Sequence, residues 1–150
     1  MKRLQLLGLL LEREQGRRDE AQEAVRAALR NEEGARTQLD GLTTYRSEYC
    51  ARWSAQFAQS STIEILRCYQ AFMARLDQAI GQQEGVVRSA QAGLEAARKR
   101  LVEREIRVAT VERLIARRRA LLARIQDRRD QKNLDELSQR RSAAAELVGL

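Results

Sequence analysis

One series of residues constrains this chain more than any other. At intervals of seven, the second half carries Leu66, Met73, Ile80, Val87, Leu94, Leu101, Val108, Ile115 and Leu122, without a polar interruption. An apolar seven-residue repeat sustained this long keeps one stripe of an α-helix turned toward a partner helix, so it predicts a coiled-coil strand. Placing this series at heptad position a gives a mixed d series: Tyr69, Leu76, Gln83, Ala90, Ala97, Arg104, Val111, Arg118 and Ile125. Proline would break such a helix, and the 150 residues contain none. Phe, Trp and Tyr make up only 4% of the chain, which argues for long helices over a compact globular core.

The first half repeats the pattern less strictly. Leu4, Leu11, Arg18, Val25, Glu32, Leu39, Arg46 and Trp53 fall at a, and Leu7, Glu14, Ala21, Ala28, Ala35, Leu42, Tyr49 and Gln56 at d. Between the halves lies the small polar cluster Gln59-Ser60-Ser61-Thr62. Ser61 followed by Glu64 has capping-box spacing, in which the hydroxyl takes an orphan amide of the new helix and the carboxylate reaches back. The fold class is therefore all-α: a single long antiparallel two-helix coiled-coil hairpin over 1–150. Helix 1 is expected over about 2–58, a turn over 59–62, helix 2 over about 62–141 and a loose tail over 142–150. The competing arrangement is one unbroken helix dimerising in parallel, a generic coiled-coil adaptor or a nucleic-acid-associated filament.

In an antiparallel pair, an a residue of one helix layers against a d residue of the other. Folding at residue 61 sets Leu11 against Val111, Leu7 against Ile115, Val25 against Ala97, Leu42 against Ile80, Tyr49 against Met73 and Trp53 against Tyr69. It also sets Ala21, Ala28 and Ala35 against Leu101, Leu94 and Val87, small against large in successive layers, which lets helices approach closely. The same register puts Arg18 opposite Arg104, a repulsive layer. Helix 2 is the longer and overhangs: Met1 would stand opposite roughly residue 121, leaving Leu122, Ile125, Leu134 and Leu137 uncovered by helix 1.

Flanking the turn are two matched stripes. Gln38, Leu42, Tyr45 and Tyr49 occupy i, i+4, i+7 and i+11, and so do Phe72, Leu76, Ala79 and Gln83. Each set lies along one helix face, and the hairpin brings the two together near its closed end. Tyr45 and Phe72 fall at g, where charged residues are usual, so a partly uncovered apolar strip is expected. Such a strip either thickens the core or receives a partner segment on aromatic anchors.

The net charge is +7, mostly from arginine, which favours acidic partners without choosing among them. A stretch from Arg98 to Lys132 is rich in arginine, including Arg113, Arg117, Arg118 and Arg124. It is either a solvated face or a positive stem. It lacks aromatics for base stacking, so specific nucleic-acid recognition is not expected. Cys50 and Cys68 lack CxxC spacing, which suggests neither a disulfide framework nor a metal site and fits a reducing, cytoplasmic setting. The opening stretch Met1 to Leu11 is too short to span a bilayer and has no small-residue cleavage site before Glu12-Arg13-Glu14, so it reads as the start of an amphipathic helix. Histidine is absent, no phosphate-binding glycine loop occurs, and the carboxylates are interleaved with arginines at helical spacing. The expectation is a binding protein, with no catalytic residues, cofactor, metal or small-molecule substrate.

The stretch Gln38-x-x-x-Leu42-x-x-Tyr45-Arg46-x-Glu48-Tyr49, followed by Phe72-x-x-x-Leu76-x-x-Ala79, resembles the core of the flagellar FliJ proteins. The chain length, coiled-coil pattern and basic bias match as well. Where some members carry histidine at the end of the second stripe, this chain has Gln83, which hydrogen-bonds but does not titrate near neutral pH. The resemblance implies a soluble component of the flagellar type III export apparatus, shaped as an antiparallel two-helix coiled coil. It implies that the open end enters the hexameric ring of the export ATPase, and that the stripe binds the cytoplasmic linker of the membrane export gate FlhA. Export chaperones are further implied partners, and the implied place is the cytoplasmic face of the inner membrane, held through protein contacts. Carried over, the gate-binding set is Gln38, Leu42, Tyr45, Tyr49, Phe72, Leu76, Ala79 and Gln83. Arg113, Arg117, Arg118 and Arg124 are the candidates for the ATPase ring.

Overall fold

The structure is a computed structural model that describes residues 2–149. Its elements are two helices, α1 over Lys2–Phe57 and α2 over Ile63–Val148, as the uninterrupted heptads require. They pair antiparallel, which excludes the unbroken parallel helix. α1 closes with short-range bonds, Gln59 N donating to Gln56 O at 3.1 Å and Ser60 N to the same oxygen at 3.2 Å. No described residue has positive φ, so the turn over 58–62 needs no glycine.

The cap of α2 sits one residue later than the capping-box spacing suggests. Thr62 Oγ1 accepts from Ile65 N at 3.3 Å, and Thr62 O accepts from Leu66 N at 3.1 Å. Thr62 is thus the N-cap and Ser61 lies outside the helix, while Glu64 stands in the first turn, where a carboxylate complements the exposed amides. The loose tail expected over 142–150 is not found as such. α2 runs on to Val148 because Ser142-Ala143-Ala144-Ala145-Glu146 contains good helix formers and no breaker. Leu150 at the end of that tail, and Met1 with its expected place opposite residue 121, lie outside the described residues.

The chain divides into two compact units, Arg17–Arg104 and the termini with their partner stretch, described over 2–16 and 105–149. In the first, Ala21, Ala35, Met73, Leu76, Val87, Ala90 and Leu94 are buried, all at a or d. Ala35 packs with Val87 and Ala90, with Leu39 beside them, the small-against-large layering read from the heptads. Two polar a positions find charged partners. Glu32, nearly buried, takes Arg36 at 2.7 Å one turn on, and Arg46 pairs across the seam with Asp77, which holds the Arg46 guanidinium charged to higher pH than usual. The expected clash of Arg18 with Arg104 is relieved on one side, where Arg18 donates to Asp19 at 3.0 Å. On the other, Arg104 Nη1 is enclosed without a hydrogen-bond partner.

In the second unit Val108, Val111 and Ile115 are buried, and Leu4, Leu7 and Leu11 are half-buried on the α1 side. Past Leu122 every described residue of α2 is exposed, so the overhang is real. No described side chain in the whole chain is less than 2% exposed. A pair of helices has a seam and no interior, and its stability is spread over many partial burials.

The cap assignment is open to direct test. Thr62→Ala should cost about 1 kcal/mol in denaturant unfolding while Ser61→Ala costs a few tenths or less. Equal losses would return the cap to Ser61.

Candidate docking surfaces

In the Arg17–Arg104 unit the two stripes meet. Gln83 Nε2 donates to Ala35 O at 3.0 Å and to Gln38 Oε1 at 3.3 Å, which ties the far end of the second stripe to the first. Nearer the turn the aromatic side chains of both helices form one cluster. Tyr49 lies 4.6 Å from Phe72 between ring centroids and stacks on Tyr69 at 5.9 Å. Tyr45 stacks on Tyr49 at 6.0 Å and meets Phe72 edge-on at 6.3 Å.

The stripe residues are not equivalent in this arrangement. Leu76 is buried in the seam; Leu42, Tyr49, Phe72, Ala79 and Gln83 are half-buried; Gln38 and Tyr45 are exposed. Tyr45 keeps 48% of its surface in water although its ring touches two others. An exposed ring braced by its neighbours has already lost much of its rotamer freedom, which suits it to binding.

The cluster extends further than the stripes. Phe57 packs against Trp53 at 5.4 Å and edge-on to Tyr69 at 5.2 Å, and a recess in the cluster is lined by Tyr49, Trp53, Glu64, Ile65, Cys68, Tyr69 and Phe72. Phe57 stands at e, outside the a and d series, and its place one turn after Trp53 is the signal that could have found it. The Tyr69 hydroxyl donates to Cys50 Sγ at 3.4 Å, a contact between helices that no spacing rule reveals.

That hydrogen bond, with desolvation second, pushes the Tyr69 phenol above its ordinary range. A raised phenol favours the neutral form in the fold. The contact therefore stabilises fully below the ordinary phenol value and is lost as pH rises through Tyr69's own higher one.

In the other unit, the four arginines of the stem differ from one another. Arg113, Arg117 and Arg124 are exposed, whereas Arg118, at d, is half-buried and its Nε is enclosed with no hydrogen-bond partner. Arg117 and Arg118 line a recess of about 470 Å³ together with Arg3, Leu6, Leu7, Leu114 and Leu121. The heptad reading missed Leu6, Leu114 and Leu121, although Leu114 and Leu121 share the g column of Phe72 and could have been found there. Among the described residues no group of His, Cys, Asp or Glu could hold a metal ion, and no helix is long and apolar enough to cross a membrane.

The Tyr69 contact predicts a titration. In a Tyr45→Phe, Tyr49→Phe background, tyrosinate absorbance should report Tyr69 ionising at lower pH once Cys50 is replaced by Ala. An unmoved transition would remove Cys50 as the cause.

Compared with known proteins, residues 1–147 match the family model described as flagellar FliJ protein. No curated protein matches the chain, and no solved structure does.

Proposed function

The chain belongs to the flagellar FliJ family, a non-enzymatic component of the flagellar export apparatus, and from that premise we propose that it is an adaptor linking the hexameric export ATPase to the membrane export gate. Gln38, Leu42, Tyr45, Tyr49, Phe72, Leu76, Ala79 and Gln83 form the surface for the cytoplasmic linker of the gate FlhA. Within that set Leu76 acts from inside the seam, positioning the rings, and Tyr45 and Gln38 meet the linker. The arginine stem, with Arg113, Arg117, Arg118 and Arg124, engages the ATPase ring. Export chaperones are further partners, and the chain works in the cytoplasm at the inner face of the membrane, reached through protein contacts.

The observation that carries the gate reading is the exposed ring of Tyr45, stacked on Tyr49 and edge-on to Phe72. Aromatic anchors of this kind dominate interface energetics. Aromatic and basic surfaces on separate units would let one chain hold two chemically different partners at once.

Tyr45→Ala should weaken binding of the gate linker by about tenfold or more and leave the thermal melt nearly unmoved. Phe72→Ala is a poorer probe, because losing its contact with Tyr49 should lower the melt as well. A Tyr45→Ala variant that binds the linker normally would remove the gate reading. At the stem, Arg113→Glu with Arg124→Glu should weaken ATPase association most at low ionic strength and flatten its salt dependence; an unchanged salt profile would exclude the electrostatic contact.

A further inference from the structure

The recess between Arg3, Leu6, Leu114, Arg117, Arg118 and Leu121 has three properties that a mere solvated stem does not need. Its leucines are open to water: Leu6 is 65%, Leu114 43% and Leu121 46% exposed. One of the residues lining it, Arg118, has its Nε enclosed and without an acceptor, and an enclosed donor left unpaired is costly. Its flank is chemically one-sided. Over 2–16 and 105–128 the c and g positions, which share the side of the recess, carry only arginine, leucine and Thr110. The carboxylates of the same ranges lie off that side: Glu12, Glu105 and Glu112 at b or e on the other flank, Glu14 at d and Asp127 at f. A face kept soluble for its own sake would mix both signs of charge and would not gather leucines.

We propose that this recess receives the apolar edge of an acidic amphipathic helix from a protein partner. A large aliphatic side chain of that helix fills the space between Leu6, Leu114 and Leu121. A carboxylate one turn away enters beside it, accepts from Arg118 Nε and faces the guanidinium groups of Arg3 and Arg117. Charge-assisted hydrogen bonds of this kind are stronger than neutral ones because donor and acceptor are both ionised. The enclosed Nε decides between this occupant and an anionic lipid surface. A headgroup phosphate stays in the plane of the bilayer, whereas a carboxylate carried by an inserted helix follows its neighbour into the recess. The assignment rests on the stem reading and names the partner chemistry that the stem selects: leucine-like and acidic residues on one helical face, in place of acidic charge alone.

Leu6→Glu with Leu121→Glu puts like charge into the recess at two exposed positions, so helicity and melting should be preserved and serve as the control. Two probes are measured: the hexameric export ATPase, and a short helical peptide of about four turns carrying leucines at i, i+3 and i+7 flanked by glutamates, with a lysine-flanked counterpart. The glutamate peptide should bind saturably to the wild-type chain, the lysine peptide should not, and the leucine variant should lose about tenfold or more. ATPase association at high ionic strength should fall alike in the leucine variant. Peptide binding without any ATPase association would overturn the stem reading while leaving the recess assignment standing. Equal binding of both peptides, or no loss in the leucine variant, would overturn the recess assignment. So would capture by phosphatidylglycerol vesicles through these leucines with no peptide binding.

Discussion

The registered seam between α1 and α2 is the contact on which every other feature depends. In it small meets large where Ala35 lies against Val87, with Ala90 and Leu39 beside them, and Ala21 on α1 and Leu94 on α2 are both buried in it. Small side chains on α1 bring the helix axes close, which lets the larger residues of α2 cover the seam despite the absence of a third layer. Apolar contact alone would tolerate slippage by a heptad. Directional contacts remove that freedom in the Arg17–Arg104 unit: Arg46 with Asp77, Gln83 with the carbonyl of Ala35, and Tyr69 with Cys50. Each has one donor geometry and would be lost by a shift of a single turn.

A seam without an interior has a consequence for binding. Residues at g are covered only in part by the partner helix, so some of their chemistry is presented to the surroundings. In the Arg17–Arg104 unit the g column holds Tyr45 and Phe72; in the other it holds Leu114 and Leu121 beside arginines. Both are apolar where a coiled coil serving only its own solubility would carry charge. They differ in the company they keep. The tyrosines brace one another in a cluster, while the leucines share a recess with Arg118, whose Nε is enclosed without an acceptor. The first arrangement suits a segment that brings its own apolar groups, and the second an acidic one.

The polar residues inside the heptads follow the same logic of local repair. Glu32 at a is answered by Arg36 on its own helix, and Arg18 at a turns to Asp19. These repairs keep charge in the seam at modest cost because each group remains partly hydrated. Arg104 and Arg118, at d on α2, are not repaired in this way. The boundary between the two compact units falls at the layer containing Arg18 and Arg104, where apolar packing is interrupted.

Much of the molecule was legible in the sequence. The a and d series named the buried residues, the polar cluster at 59–62 located the turn, and the small-against-large pairing gave the register, because heptad periodicity is sampled again at every turn and one ambiguous residue cannot disguise it. The overhang followed by counting. What the sequence misplaced was local and depended on few residues: the cap moved from Ser61 to Thr62, and the tail stayed helical to Val148, because a single hydroxyl and an alanine run each compete with near neighbours of similar energy. What it could not contain was the partition of the stripes into buried Leu76, braced Tyr49 and open Tyr45, the bond from Tyr69 to Cys50, and the leucine recess around Arg118. Those were decided by tertiary structure, because exposure and hydrogen bonding at the edge of a two-helix seam depend on how far each side chain reaches across to the other helix. That distance is set by the packing of both helices together and is written in neither one alone.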